Sequence, residues 1–143
     1  RRGDPAIYPS MRSHETNIVV AIDTSGSIDE EEIQEFISEI DSIKSQVRAS
    51  ITLLTCDAKL NYGCPWKFEA WEAFQFDVQI RGGGGTDFTP VFEWVDDQDR
   101  APDLLVYFTD AVGKFPEEEP RYPINWLVKG KATVPFGVRI QLN

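Results

Sequence analysis

Two kinds of hydrophobic pattern alternate along the chain. Residues 17–22, 51–56 and 104–108 are dominated by Ile, Val, Leu and Phe, with no polar residue at every second position. Such runs suit strands covered on both faces, as in a parallel sheet with helices above and below. Between the first two runs, Ile33, Phe36, Ile37, Ile40, Ile43 and Val47 recur at helical spacing, predicting a helix over 29–47. Glu30, Glu31 and Glu32 crowd its first turn, where the helix dipole favours negative charge. Strand, loop, helix, strand in this order predicts a right-handed βαβ unit.

The remaining segments are read the same way. Phe74, Phe76, Val78 and Ile80 alternate with polar residues, predicting a half-exposed strand, and 62–71 reads as an aromatic hairpin. A glycine run at 82–85 interrupts the pattern. Thr89 and Pro90 then read as the N-cap and first position of a short helix reaching about residue 97. Residues 113–123, with three prolines, read as a loop, and 124–128 as a further strand. The final strand, 136–142, alternates cleanly, as suits a sheet edge. The expected fold is a three-layer α/β/α, Rossmann-like domain over 17–143, its sheet mostly parallel with an antiparallel edge. Residues 1–16, with two prolines and no apolar period, read as a lead-in arm.

Composition narrows the function classes. A chain of 143 residues buries about 70% of its unfolded surface in one core. With 24 acidic against 14 basic residues the net charge is −10, which disfavours nucleic acid or an anionic membrane as the main partner. No apolar run approaches the roughly 20 residues of a membrane helix, and no signal-peptide pattern appears. Two cysteines make no disulfide framework, so Cys56 and Cys64 are expected reduced, as in a cytoplasmic protein. The start at Arg1 rather than Met suggests a piece of a longer polypeptide.

Candidate chemistry lies at the ends of the buried runs. Asp23 and Asp110 each follow one, and in an open parallel sheet ligands bind beyond the carboxyl ends of the strands. Ser25 and Ser27 present hydroxyls in a loop that Gly26 lets turn sharply, and Thr86 follows the glycine run that ends at Gly85. Two carboxylates and three hydroxyls form an all-oxygen set, suited to Mg²⁺ or Mn²⁺ rather than zinc. Bland alternatives exist for single members. Ser27-x-x-Glu30 also reads as a capping box, Asp110 as a turn cap, and Asp87 as a loop-capping or supporting residue rather than a ligand. A phosphate loop is set aside because no Gly-Lys-Ser/Thr follows the glycines. The aromatic cluster over 62–76 reads mainly as core and sheet edge, His14 as a solvated residue of the arm, and Glu117 to Glu119 as a solvated loop.

Asp23-Thr24-Ser25-Gly26-Ser27, then Thr86, then Asp110 resembles the metal-ion-dependent adhesion site of von Willebrand factor A (VWA) domains, D-x-S-x-S…T…D. Gly84-Gly85-Thr86-Asp87-Phe88 and the segment from Trp126 to Gly137 further resemble the VWA-like domain that follows a predicted metallopeptidase domain in bacterial proteins. The resemblance implies direct metal ligation by Ser25 and Ser27, and by Thr86 directly or through water. It implies that Asp23 and Asp110 act mostly through water while fixing the hydroxyls. The implied function is capture of an acidic side chain of a protein partner, either the parent's own peptidase half or an associated ATPase. His14-Glu15 lacks the second histidine of H-E-x-x-H, so no peptidase activity is expected of this chain. The family's longer adhesion domains carry extra helices that this sequence replaces with its aromatic segment and the 113–123 loop. A competing reading is a Mg²⁺-dependent phosphoryl-transfer hydrolase with Asp23 as nucleophile, although Ser25 stands where its general acid would be. A third is a structural domain with a vestigial site.

Overall fold

In the computed structural model, which describes residues 15–76 and 83–142, a twisted sheet is assembled from β1 (Thr16–Asp23), β2 (Ala49–Cys56), β3 (Trp66–Phe68), β4 (Leu104–Thr109), β5 (Ile124–Lys129) and β6 (Val138–Leu142). The strand order is β3-β2-β1-β4-β5-β6, and every pairing is parallel except β2 with β3. The expected antiparallel edge is therefore β3, while β6 closes the other edge parallel to β5. Helices α1 (Glu30–Gln46) and α2 (Thr89–Asp96) cover opposite faces.

The uninterrupted apolar runs explain this layering. Along β1, Ile18, Val20 and Ile22 pack with Phe36, Ile40 and Ile43 of α1, while Val19 and Ala21 pack with Val91, Phe92 and Val95 of α2. Both faces of one strand are thus buried, which a period-2 amphipathic strand could not satisfy. On the α2 side the core is aromatic. Trp126 is fully buried and its ring lies 5.1 Å from Tyr107 and 5.5 Å from Phe88, with Nε1–H donating to the Phe136 carbonyl at 2.9 Å.

Several boundaries depart from the sequence reading. The hairpin expected over 62–71 is one short strand, β3, added to β2. Its aromatic side chains turn toward the α1-side core, where Phe68 meets Phe74 at 4.8 Å and Trp66 meets Phe76 at 5.1 Å. Residues 73–76 are not a strand, and the rest of the expected alternating strand lies outside the described residues. So does the arm up to residue 14; Thr16 already belongs to β1. Thr89 is not the N-cap of α2 but its first residue, with the buried Phe88 at the cap. No side chain caps that end; instead the Thr89 N–H donates to Asp87 Oδ1 at 2.9 Å. No helix among the described residues is long and apolar enough to cross a membrane.

Candidate metal centre

The chain leaves β1 for β2 on one side and reaches β4 on the other, so the order switches between β1 and β4. In open α/β sheets such a switch opens a crevice at the carboxyl ends of the two strands. Asp23 ends β1, and Asp110 follows β4 directly, its neighbour in the sheet. The two aspartates expected on one rim are on one rim.

Asp23 is the buried centre of the cluster. Its side chain is fully covered; Oδ1 accepts the Ser25 N–H at 2.8 Å and Oδ2 the Thr109 hydroxyl at 2.5 Å. Burial raises the Asp23 pKa above the usual carboxylate range, and the nearby Asp110 charge adds to the rise. The bonds from Ser25 and Thr109 act in the opposite direction. Ser25 is buried and Ser27 exposed, with their hydroxyl oxygens 3.2 Å apart. Two neighbouring oxygen ligands of an octahedral Mg²⁺ lie about 3.0 Å apart when each sits near 2.1 Å from the ion. The donor set and this spacing fit a hard divalent cation.

The capping alternative for Ser27 does not describe this helix. Asp29 is the N-cap of α1: its Oδ1 accepts the Glu32 N–H at 2.8 Å, and Glu32 Oε1 accepts the Asp29 N–H at 3.2 Å. Ser27 lies outside that box.

Thr86 reaches the rim through main-chain contacts on both sides. The Gly83 N–H donates to the Thr24 carbonyl at 2.8 Å, and the Gly26 N–H to the Gly84 carbonyl at 3.2 Å. On the other side the Lys114 N–H donates to the Thr86 carbonyl at 3.2 Å. Two glycines make this fit possible. A Cβ on Gly26 would stand 3.0 Å from the Gly83 carbonyl oxygen, and one on Gly113 would stand 2.5 Å from Thr86 Cγ2. Gly85, between Gly84 and Thr86, is exposed, with open space where a Cβ would stand. Asp110 is half-buried, and its Oδ1 accepts the Val112 N–H at 3.1 Å. Among the described residues no group of three or more His, Cys, Asp or Glu side chains is gathered as a metal cluster.

A family model for the VWA-like domain DUF2201 matches residues 18–143. The chain belongs to this family. The VWA-like domain is also 32% identical, over 94 residues, to an uncharacterized protein of Thermotoga maritima; the match covers 66% of this chain and 22% of that protein.

Four residues of the rim went unread in the sequence of the VWA-like domain. Thr109 bridges Asp23 to the turn, its Oγ1 also accepting the Ala111 N–H at 2.9 Å, and Ala111 adopts a left-handed φ of 63°. Asn61 Nδ2 donates to Thr24 Oγ1 at 2.7 Å, Asp57 touches the glycine loop, and Gly113 seats Thr86. A third aspartate after a buried run was the available signal for Asp57. The other three depend on contacts between distant segments.

Proposed function

We propose that this domain is a divalent-metal-dependent protein-binding module in which Ser25, Ser27 and Thr86, with Asp23 and Asp110, hold Mg²⁺ or Mn²⁺. The bound ion would then take a carboxylate from a protein partner. The observation that carries this reading is the convergence at the β1–β4 switch point. There a buried aspartate orients a loop whose two serine oxygens are 3.2 Å apart, and the glycine loop that leads to Thr86 is bonded to it through Thr24 and Gly26. With the two carboxylates acting mostly through water, the direct protein ligands of the ion are neutral hydroxyls, which favours recruiting an anionic ligand from outside.

The surroundings support a protein as the partner. Tyr62 is fully exposed beside Asn61, which bonds the site loop, and Val112 is 62% exposed next to the Asp110 turn. Apolar groups beside a polar centre suit a macromolecular contact. Burial of Asp23, with both oxygens engaged, weighs against its use as a phosphoryl-accepting nucleophile. The fraction of the Thermotoga maritima protein covered supports placing such domains within longer polypeptides. On this reading the domain is the C-terminal part of a cytoplasmic metal-dependent peptidase and is not itself an enzyme. Its partners are then the peptidase half or an associated ATPase.

A peptide array tiled with Asp and Glu, probed with the domain in Mg²⁺ and again in chelator, tests this function. Peptides that bind in Mg²⁺ should be lost in chelator and lost when a single acid becomes its amide. Because the domain carries −10 and repels acidic peptides at long range, moderate salt should weaken binding little. Binding that is equal with and without chelator would overturn the proposal.

A further inference from the structure

Asp57 stands just past the end of β2, on the same rim as Asp23, and it brackets the segment that carries Thr86. Its Oδ2 accepts the Gly84 N–H at 3.3 Å, and its Oδ1 accepts the Lys59 N–H at 3.2 Å. Its carbonyl accepts the Asp87 N–H at 3.0 Å. Gly84 and Asp87 lie on either side of Thr86. The Gly84 carbonyl in turn accepts the Gly26 N–H, so a relay of bonds runs from the Asp57 carboxylate through Gly84 into the serine loop.

A glycine run is the costliest stretch of chain to hold in one conformation, on the order of 1–2 kcal/mol per residue in backbone entropy. Thr86 contributes to a site only while that cost is met by bonds to its loop. Most of those bonds come from main-chain groups, which substitution cannot remove; the Asp57 carboxylate is a side chain that can be tested. Both Asp57 carboxylate oxygens are engaged by main-chain N–H groups, those of Gly84 and Lys59, an arrangement that holds a loop in place.

We propose that Asp57 is a positioning residue for the candidate cation site, holding the glycine loop so that Thr86 is presented to the ion. The inference rests on the reading of this rim as a metal site. It concerns a residue outside the D-x-S-x-S…T…D set, and it makes the end of β2 part of the site.

The test is a Mn²⁺ titration followed by electron paramagnetic resonance, with water-proton relaxation of the bound ion as a second readout. It compares wild type, Asp57→Ala, Asp57→Asn, Thr86→Val and the Asp57→Ala/Thr86→Val pair. Loss of one hydrogen bond that orders a ligand should raise the Mn²⁺ dissociation constant about fivefold in Asp57→Ala. Asp57→Asn keeps an acceptor oxygen for Gly84 and should return to within about twofold of wild type. Water-proton relaxation should rise in Asp57→Ala as water replaces the threonine oxygen. On the Thr86→Val background, Asp57→Ala should add nothing, because it acts through the same group. Should Asp57→Ala not fold, Asp57→Ser, too short to reach Gly84, takes its place in the cycle. Wild-type affinity in Asp57→Ala, equal losses in Ala and Asn, or additive losses in the pair would each overturn the positioning role. A wild-type domain that takes up no Mn²⁺ would instead overturn the metal reading on which it rests.

Discussion

Replacing Thr109 with valine keeps the shape of a fully buried side chain and removes only its hydroxyl. Two bonds go with it: the one donated to Asp23 Oδ2 and the one accepted from the Ala111 N–H. The first reaches a buried carboxylate, and a bond to a charged group contributes about 1.5–3 kcal/mol. The second loss leaves a buried N–H unpaired, at about 1–3 kcal/mol. The added methyl recovers part of this, so the net loss should be about 3 kcal/mol. For a domain of this size that lowers Tm by about 10 °C. Thr109→Ser keeps the hydroxyl and should lose only about 1 kcal/mol, for one buried methyl. Urea unfolding of the three proteins, without added metal, measures both differences. A valine variant within about 0.5 kcal/mol of wild type would refute the idea that Thr109 sustains the buried Asp23.

Further outcomes follow from the helix cap and from the buried thiol. Asp29→Ala should cost about 1 kcal/mol of stability while leaving Mn²⁺ affinity unchanged, whereas Ser27→Ala should do the reverse; matching urea midpoints with metal titrations separates the two roles. The Cys56 thiol, buried and facing the Asp57 charge, is pushed up to about 12 from its ordinary value of 9.0. Well below pH 9 it is neutral in both states. As pH rises from 9 toward 12 the unfolded chain releases the proton and the folded chain retains it, so stability falls across that window. Cys56→Ala should flatten that part of the urea-midpoint profile between pH 8 and 10.5. An unchanged slope would contradict the protected thiol.

The fold was legible wherever burial left a mark at every position. The runs of β1, β2 and β4 have no polar face because α1 and α2 cover both sides, and α1 shows the helical period of a one-sided helix. The region 62–76 was misread because β3 is three residues long and its aromatics are placed by tertiary contacts, such as Trp66 on Phe76, that leave no period. Thr89-Pro90 has the residues of a helix start, yet the burial of Phe88 fixes where the helix begins. Ser27-x-x-Glu30 has the residues of a capping box, but α1 starts at Glu30, so the box is formed by Asp29 with Glu32. The candidate site was visible as a motif because its members end strands or follow glycines. What supports it was not. Thr109 lies 86 residues from Asp23 and Asn61 lies 37 from Thr24, so only the strand order brings them together.

The central claim is that the rim holds a divalent cation through its hydroxyls. Its most direct test is a calorimetric titration of MgCl₂ and MnCl₂ into wild type and Ser25→Ala, with thermal melts at saturating metal. Wild type should bind one ion and gain about 2.7 kcal/mol at 100 times its dissociation constant. Ser25→Ala should remain folded and lose most of both the heat and the stabilisation. Equal binding in the two proteins, or no binding in wild type, would contradict it.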